Sequence, residues 1–159
     1  GSSWKGAAKP DVTLVEFFDY ACPYCKASNP TVDRLLHEDK GLRVVYRELP
    51  ILGPDSVTAA RLSLEASQRG RFGTFHDTLW AAGRPAPDTI ATAAKAAGIT
   101  PQPQNDVAIE AELKRNFQLA GQLGATGTPL FVIGDRVMNG AVGYDALKQA
   151  IDAARSKKS

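Results

Sequence analysis

The chain has 159 residues, 43% of them apolar, and carries 19 Lys and Arg against 17 Asp and Glu, a net charge of +2. That length suits one domain with room for an insertion, and that apolar share suits an ordinary buried core. No basic stripe with interleaved aromatics occurs, which argues against a nucleic-acid partner. No apolar run approaches the roughly 20 residues that span a membrane.

The first nine residues read as a tail. Gly1-Ser2-Ser3 has no initiator Met and looks like a cloning remnant; Met138 is the only Met. A signal or anchoring segment is therefore expected to have been removed. Val12 to Phe18 is a nearly continuous apolar, β-rich run, as in a strand buried on both faces. Asp19-Tyr20-Ala21 turns the chain into Cys22-Pro23, and a helix is predicted from there to about Asp39, near the stop signal Gly41. Val32, Leu35 and Leu36 give it an apolar stripe, and Pro30 is expected to kink it. Leu42 to Leu49 alternates as a second strand. Strand, helix and strand at this spacing predict a right-handed βαβ unit with parallel strands.

Residues 54–124 read as mostly helical. One helix is predicted up to Gly70, capped by Asp55 or Ser56. Others are predicted over Phe72–Ala82, Asp88–Ala97 and Asn105–Leu123. The segment is too long for a loop, and no composition shift sets it apart, so it is expected to be a helical insertion covering one side of the sheet. Strand character returns at Leu130–Ile133, Gly134-Asp135 signals a tight turn, and Arg136–Asn139 is the hairpin partner. A last helix is predicted over Asp145–Ala154 with Leu147 and Ile151 on its apolar face. The basic end, Arg155, Lys157 and Lys158, reads as a solvated helix tail. The division is then residues 10–53 and 125–155 as one α/β domain with a mixed sheet, interrupted by residues 54–124.

Only two cysteines occur, in Cys22-Pro23-Tyr24-Cys25. A structural disulfide closing so short a loop stabilises little, because the entropy it removes grows with loop length. Metal binding and redox chemistry remain. Zinc needs about four Cys and His ligands. The candidates are Cys22, Cys25, His37 and His76, with no second Cys pair and no short His spacing, so no metal is expected. His37 reads as a helix surface residue and His76 as a helix residue beside Phe75, neither as a catalytic base.

The redox reading has separate physical supports. Cys22 sits where the unpaired N–H groups of a helix start favour thiolate over thiol. Pro23 suits the first helical position, where a missing N–H costs nothing. Cys25 lies three residues on, on the same helix face. Cys22 is then the exposed attacking thiol and Cys25 the inward, resolving one. Tyr24 reads equally as an exposed aromatic and as a residue that touches substrate. Glu16 interrupts an apolar strand on the face of Leu14 and Phe18. Desolvation is expected to raise its pKa, which suits a proton acceptor for Cys25; the bland alternative is a side chain reaching solvent or an arginine. Gly127-Thr128-Pro129 puts a Pro at a strand start, by default a simple trans entry turn.

Phe17 to Cys25, with Gly127-Thr128-Pro129 before a strand, resembles the DsbA-like branch of the thioredoxin superfamily, closest to its DsbA/Com1-like and ScsC-type members. The similarity runs from about Val12 to Ala154. Cys-Pro-Tyr-Cys also occurs in glutaredoxins, and the helical insertion is what separates the two. The resemblance implies a thioredoxin-like fold, Cys22 as nucleophile, Cys25 as resolving thiol, a cis Pro129 beside the pair, Thr128 backbone pairing with substrate, and Glu16 at the family's acidic strand position. It implies export to the periplasm or cell envelope, substrate proteins with thiols or disulfides, a redox partner protein, and no cofactor. DsbA itself usually has His at the position of Tyr24, so oxidising strength does not carry over. Two rival readings are a glutathione-linked, glutaredoxin-like reductase and a non-enzymatic binder using the groove beside Cys22.

Overall fold

The computed structural model describes residues 3–157. Gly1 and Ser2 of the expected remnant, and Lys158 of the basic end, lie outside the described residues. In chain order the elements are β1 (Trp4–Gly6), β2 (Val12–Phe18), α1 (Pro23–Glu38), β3 (Leu42–Glu48), α2 (Pro54–Gln68), α3 (Phe72–Ala82), α4 (Pro87–Ala97), α5 (Val107–Gln122), β4 (Leu130–Ile133), β5 (Arg136–Asn139) and α6 (Tyr144–Ser156). The sheet order is β1-β3-β2-β4-β5. β2 and β3 run parallel, from Val12 opposite Leu42 to Phe18 opposite Glu48, and α1 makes the crossover between them. β4 is antiparallel to β2 and to β5. This is the mixed sheet of a thioredoxin-like fold, with four helices between β3 and β4.

Strand alternation explains why β2 is apolar almost throughout. Val12, Leu14 and Phe18 join the larger core with α1, α2, α3, α4 and α6. Phe17 faces the other way, onto Leu49, Leu130 and Ala120 of α5. The helical block therefore does not lie on one side of the sheet. Its first three helices pack around Phe18 and Tyr46, and α5 crosses to cover Phe17. Both faces of β2 needed cover, and one stretch of helices supplies part of each.

Three further expectations are corrected. Residues 3–6 are not a tail: β1 pairs antiparallel with β3, Tyr46 donates its N–H to the Ser3 carbonyl at 2.8 Å, and the Arg43 guanidinium stacks 4.0 Å over the Trp4 ring. A three-residue strand carries too little pattern to be seen in sequence. Neither Asp55 nor Ser56 caps α2; Gly53 precedes Pro54 at the helix start, and Ser56 is buried with its hydroxyl turned elsewhere. The basic end is a solvated tail only in part: Lys157 is exposed, but Arg155 is half-buried. Arg155 bridges Asp11 and Asp39 at 3.0 and 2.9 Å, and Lys157 pairs with Asp135. Pro30 lies inside α1 without ending it.

Candidate active site

The site forms where β2 ends and α1 begins. Asp19 Oδ1 accepts the N–H of Ala21 at 2.7 Å, an Asx turn, and Cys22 donates its own N–H to the Asp19 carbonyl at 3.0 Å. Cys22 then takes the N-cap position in extended conformation, with Pro23 at the first helical position. Its sulfur is at the positive end of a sixteen-residue helix, beside the unpaired N–H groups of the first turn. The Cys22 Sγ donates to the Thr128 carbonyl at 3.4 Å. The Thr128–Pro129 peptide is cis, which corrects the trans default of the bare tripeptide and agrees with what the resemblance implies. Residues 106 positions apart in sequence thus meet at one sulfur.

Both cysteines are free thiols, and both are buried. Cys22 is only 5% exposed, so it is not the openly exposed thiol expected; it is reached through a hollow that it shares with Pro23, Lys26, Trp80 and Arg84. Cys25 is fully buried. Desolvation pushes its thiol well above the ordinary range, and the nearby Glu16 adds to this. The two thiols therefore differ in setting, one on a helix end with an access route and one sealed behind it. Tyr24, between them, is 66% exposed.

Glu16 is 1% exposed and pairs across the sheet with Phe131 on one side and Tyr46 on the other. Burial first, and the charge of Asp33 second, raise its carboxyl to about 8. Among the described residues its Oε1 has no hydrogen-bond partner. The reading in which this side chain snorkels to solvent or meets an arginine is thereby removed.

The sequence reading missed a second set of buried polar groups. Asp19 Oδ2 accepts the N–H groups of Ile51 and Leu52 at 2.8 and 3.0 Å, and the Ser56 hydroxyl reaches Oδ1 at 2.7 Å. One carboxylate thus ties the active-site turn to the start of α2. Glu48 is also buried and held well above the ordinary carboxyl range by desolvation. Ser63 donates to Glu48 Oε2 at 2.9 Å, and the Tyr20 hydroxyl lies 2.9 Å from both Ser63 Oγ and His76 Nδ1. A hydroxyl has one proton to give, so Tyr20 donates to Ser63 and accepts from His76. His76 is buried, and desolvation lowers its pKa well below the usual value, so it is neutral. His37 is exposed on α1. The only sequence signal for this network is two acids and a His inside otherwise apolar stretches.

The domain model of the DSBA-like thioredoxin domain matches residues 13–152. The chain belongs to that family. Among solved structures, this DSBA-like chain is similar to a periplasmic thioredoxin-like protein from Salmonella enterica serovar Typhimurium, at 34% identity and TM-score 0.88, covering 98% of this chain and 90% of that one. A thioredoxin-like oxidoreductase from Silicibacter pomeroyi gives 36% identity and TM-score 0.87, covering 96% and 91%. The catalytic domain of Proteus mirabilis ScsC gives 28% and 0.87, covering 98% and 89%. The chain spans about a quarter of the length of the curated relatives it matches; for the Na(+)/H(+) antiporter NhaA 3 of Salinispora tropica the match is 29% identical over 158 residues, 94% of this chain and 24% of that protein. A Cys-x-x-Cys pair at a helix start on this fold is a thiol–disulfide oxidoreductase centre. Among the described residues no group of three or more His, Cys, Asp and Glu is placed to hold a metal ion, and no helix is long and apolar enough to cross a membrane.

Proposed function

We propose that the chain exchanges disulfides with polypeptide substrates in the bacterial cell envelope, with Cys22 as nucleophile, Cys25 as resolving thiol and Glu16 as the proton carrier for Cys25. The observation that carries this reading is the placing of Cys22 Sγ on the helix end, 3.4 Å from the carbonyl that precedes a cis proline, with Cys25 sealed behind it. An envelope location is supported by the description of the Salmonella neighbour as periplasmic.

In the reducing direction the Cys22 thiolate attacks one sulfur of a substrate disulfide. That S–S bond breaks, the distal sulfur leaves as thiolate and takes up a proton, and a mixed disulfide joins Cys22 to substrate. Cys25 then passes its proton to the Glu16 carboxylate and attacks Cys22 sulfur; the Cys22–substrate bond breaks, the substrate's second sulfur leaves as a thiolate that takes up a proton from solvent, and the Cys22–Cys25 disulfide remains. In the oxidising direction a substrate thiolate opens that disulfide, and neutral Glu16 returns the proton to the departing Cys25. A carboxyl poised near 8 can serve both directions around neutral pH. Thr128, through its backbone, and Pro129 line the path of the substrate chain, and Tyr24 and Pro23 flank it. A separate redox partner resets the pair.

The test is trapping. Cys25→Ser is expected to accumulate a mixed disulfide with an oxidised polypeptide, visible as a mass increase reversed by reductant. Cys22→Ser is expected to form none. Equal trapping through Cys25 in the Cys22→Ser protein overturns the assignment of roles. Efficient turnover of glutathione disulfide with no reaction of polypeptide disulfides would favour the glutaredoxin-like reading instead. Equilibration of the wild-type pair with glutathione then gives the potential that decides the direction of electron flow.

A further inference from the structure

The hollow beside Cys22 has a chemistry that thiol exchange alone does not explain. It has a volume of about 150 Å³, and its walls include Cys22, Pro23, Trp80, Lys26, Gly83 and Arg84. Two walls are cationic and none is acidic. Neither Lys26 nor Arg84 has an ion-pair partner among the described residues, a state shared with other surface cations such as Lys9 and Lys114; what sets these two apart is that both border Cys22.

Both cations have anchored backbones. Lys26 lies one turn into α1, its N–H bonded to the Cys22 carbonyl at 3.1 Å. Side chains on a helix lean toward its N-terminal end, which carries the Lys26 stem back toward Cys22. Arg84 follows the end of α3, and its carbonyl accepts the Thr89 hydroxyl at 2.7 Å. Between them Gly83, at φ +118°, presents bare backbone to open space. No acid lines the hollow, and three acids of the neighbouring elements are otherwise engaged. Asp19 is surrounded by its own donors, Glu16 is buried and mostly neutral at pH 7, and Asp77 is paired with Lys5. The uncompensated charge in this hollow is therefore positive, and it adjoins the attacking sulfur.

We infer, on the footing of the exchange reading above, that Lys26 and Arg84 form a carboxylate subsite that favours polypeptide disulfides flanked by Asp or Glu. The size of the hollow suits one side chain. Its contact with Cys22 confines that side chain to a residue adjoining the attacked cysteine. Trp80 supplies an apolar wall for the stem of an acidic residue, and the two cations meet its head. The reaction is unchanged: Cys22 thiolate displaces the distal sulfur, the electron pair and then a proton go to that sulfur, and the flanking carboxylate stays ionised on Lys26 and Arg84. Pro129 is not among the walls of the hollow, so the subsite is separate from the backbone contact at Thr128.

The experiment uses the reduced full chain and three peptides of one sequence, each in disulfide linkage to the same small leaving group. The residue beside cysteine is Asp, Ser or Lys. Each rate constant is divided by that of the same peptide with a small uncharged thiol, which removes the effect of the flank on the disulfide itself. The Asp peptide is expected to react about tenfold faster than the Lys peptide at low salt, and the ratio to shrink toward one at high salt as screening sets in. Lys26→Gln/Arg84→Gln should abolish the ratio, and Lys26→Glu/Arg84→Glu should invert it. The ratio is the readout because substitutions this close to Cys22 can change its absolute rate with every peptide alike.

Equal rates for the three peptides in the wild type overturn the subsite, as does a preference that persists in the Gln pair. If no peptide reacts at all, the exchange reading itself has failed. Glutathione disulfide and its ester form a second comparison: a charge preference confined to them overturns the assignment to polypeptide substrates.

Discussion

Glu16 and Asp19 stand three residues apart at the end of one strand, are both acids, and are both at most 2% exposed. They nonetheless have opposite surroundings. Asp19 accepts four hydrogen bonds, from Ala21, Ile51, Leu52 and Ser56. Glu16 keeps an oxygen without a partner, and its carboxyl is raised to about 8. A buried carboxylate that is fully donated to acts as a joint, because removing it strands its donors. One that is starved of donors is easily neutralised and can carry a proton. Burial by itself does not tell the two apart; the donor count does.

The comparison can be broken most sharply at Asp19. Asp19→Ala is expected to lower stability by about 3–4 kcal/mol through the loss of several charge-assisted bonds. Urea unfolding would show this, and a loss below about 1 kcal/mol would deny Asp19 the part of a joint.

Glu16→Gln should do the reverse. The fold holds this carboxyl above its ordinary value of 4.5, so it favours the neutral form. The stability linked to Glu16 is complete below about pH 4.5 and is lost as pH rises through about 8. The Gln variant keeps no such dependence, so at pH above 8 it should be more stable than wild type by on the order of 3 kcal/mol, with little difference near pH 4. The same substitution should slow release of the mixed disulfide about a hundredfold, the ordinary worth of one positioned acid–base group at its lower end. Denaturation at two pH values and single-turnover kinetics check the two halves separately. A Gln variant that is destabilised at high pH would place Glu16 with Asp19 among the joints.

Ser63→Ala tests the other buried acid. It cuts the link between Glu48 and Tyr20, with an expected loss of about 1–2 kcal/mol by thermal or chemical unfolding. Asp106→Ala is the smallest. Asp106 caps α5 by accepting from Ala108 and Ile109, at 2.8 and 3.2 Å. A loss of about 1 kcal/mol with the exchange rate unchanged is expected, since the partners of Asp106 (Ala108, Ile109 and Gln68) are not among the walls of the Cys22 hollow.

The active-site turn was legible because its signals are local. Cys22, Pro23 and Cys25 are meaningful by spacing alone, and the apolar run around Glu16 marks a buried strand by composition. Thr128-Pro129 was legible only through resemblance, since a Thr-Pro dipeptide says nothing by itself about which sulfur it will meet. β1 was missed because three residues hold no period. The buried network of Asp19, Glu48, Ser63, Tyr20 and His76 was missed because its partners lie 15 to 56 residues apart along the chain.

By itself the sequence determined the order of strands and helices from β2 onward, the parallel βαβ unit and the Cys-x-x-Cys pair at a helix start, since periodicity, turn residues and helix-start chemistry act over a few neighbouring residues. Tertiary structure alone decided how deeply Cys22 sits, which of two adjacent buried acids is left without donors, and which cations border the nucleophile. Those properties come from side chains brought together by packing across the sheet and the inserted helices, and no stretch of the chain contains them.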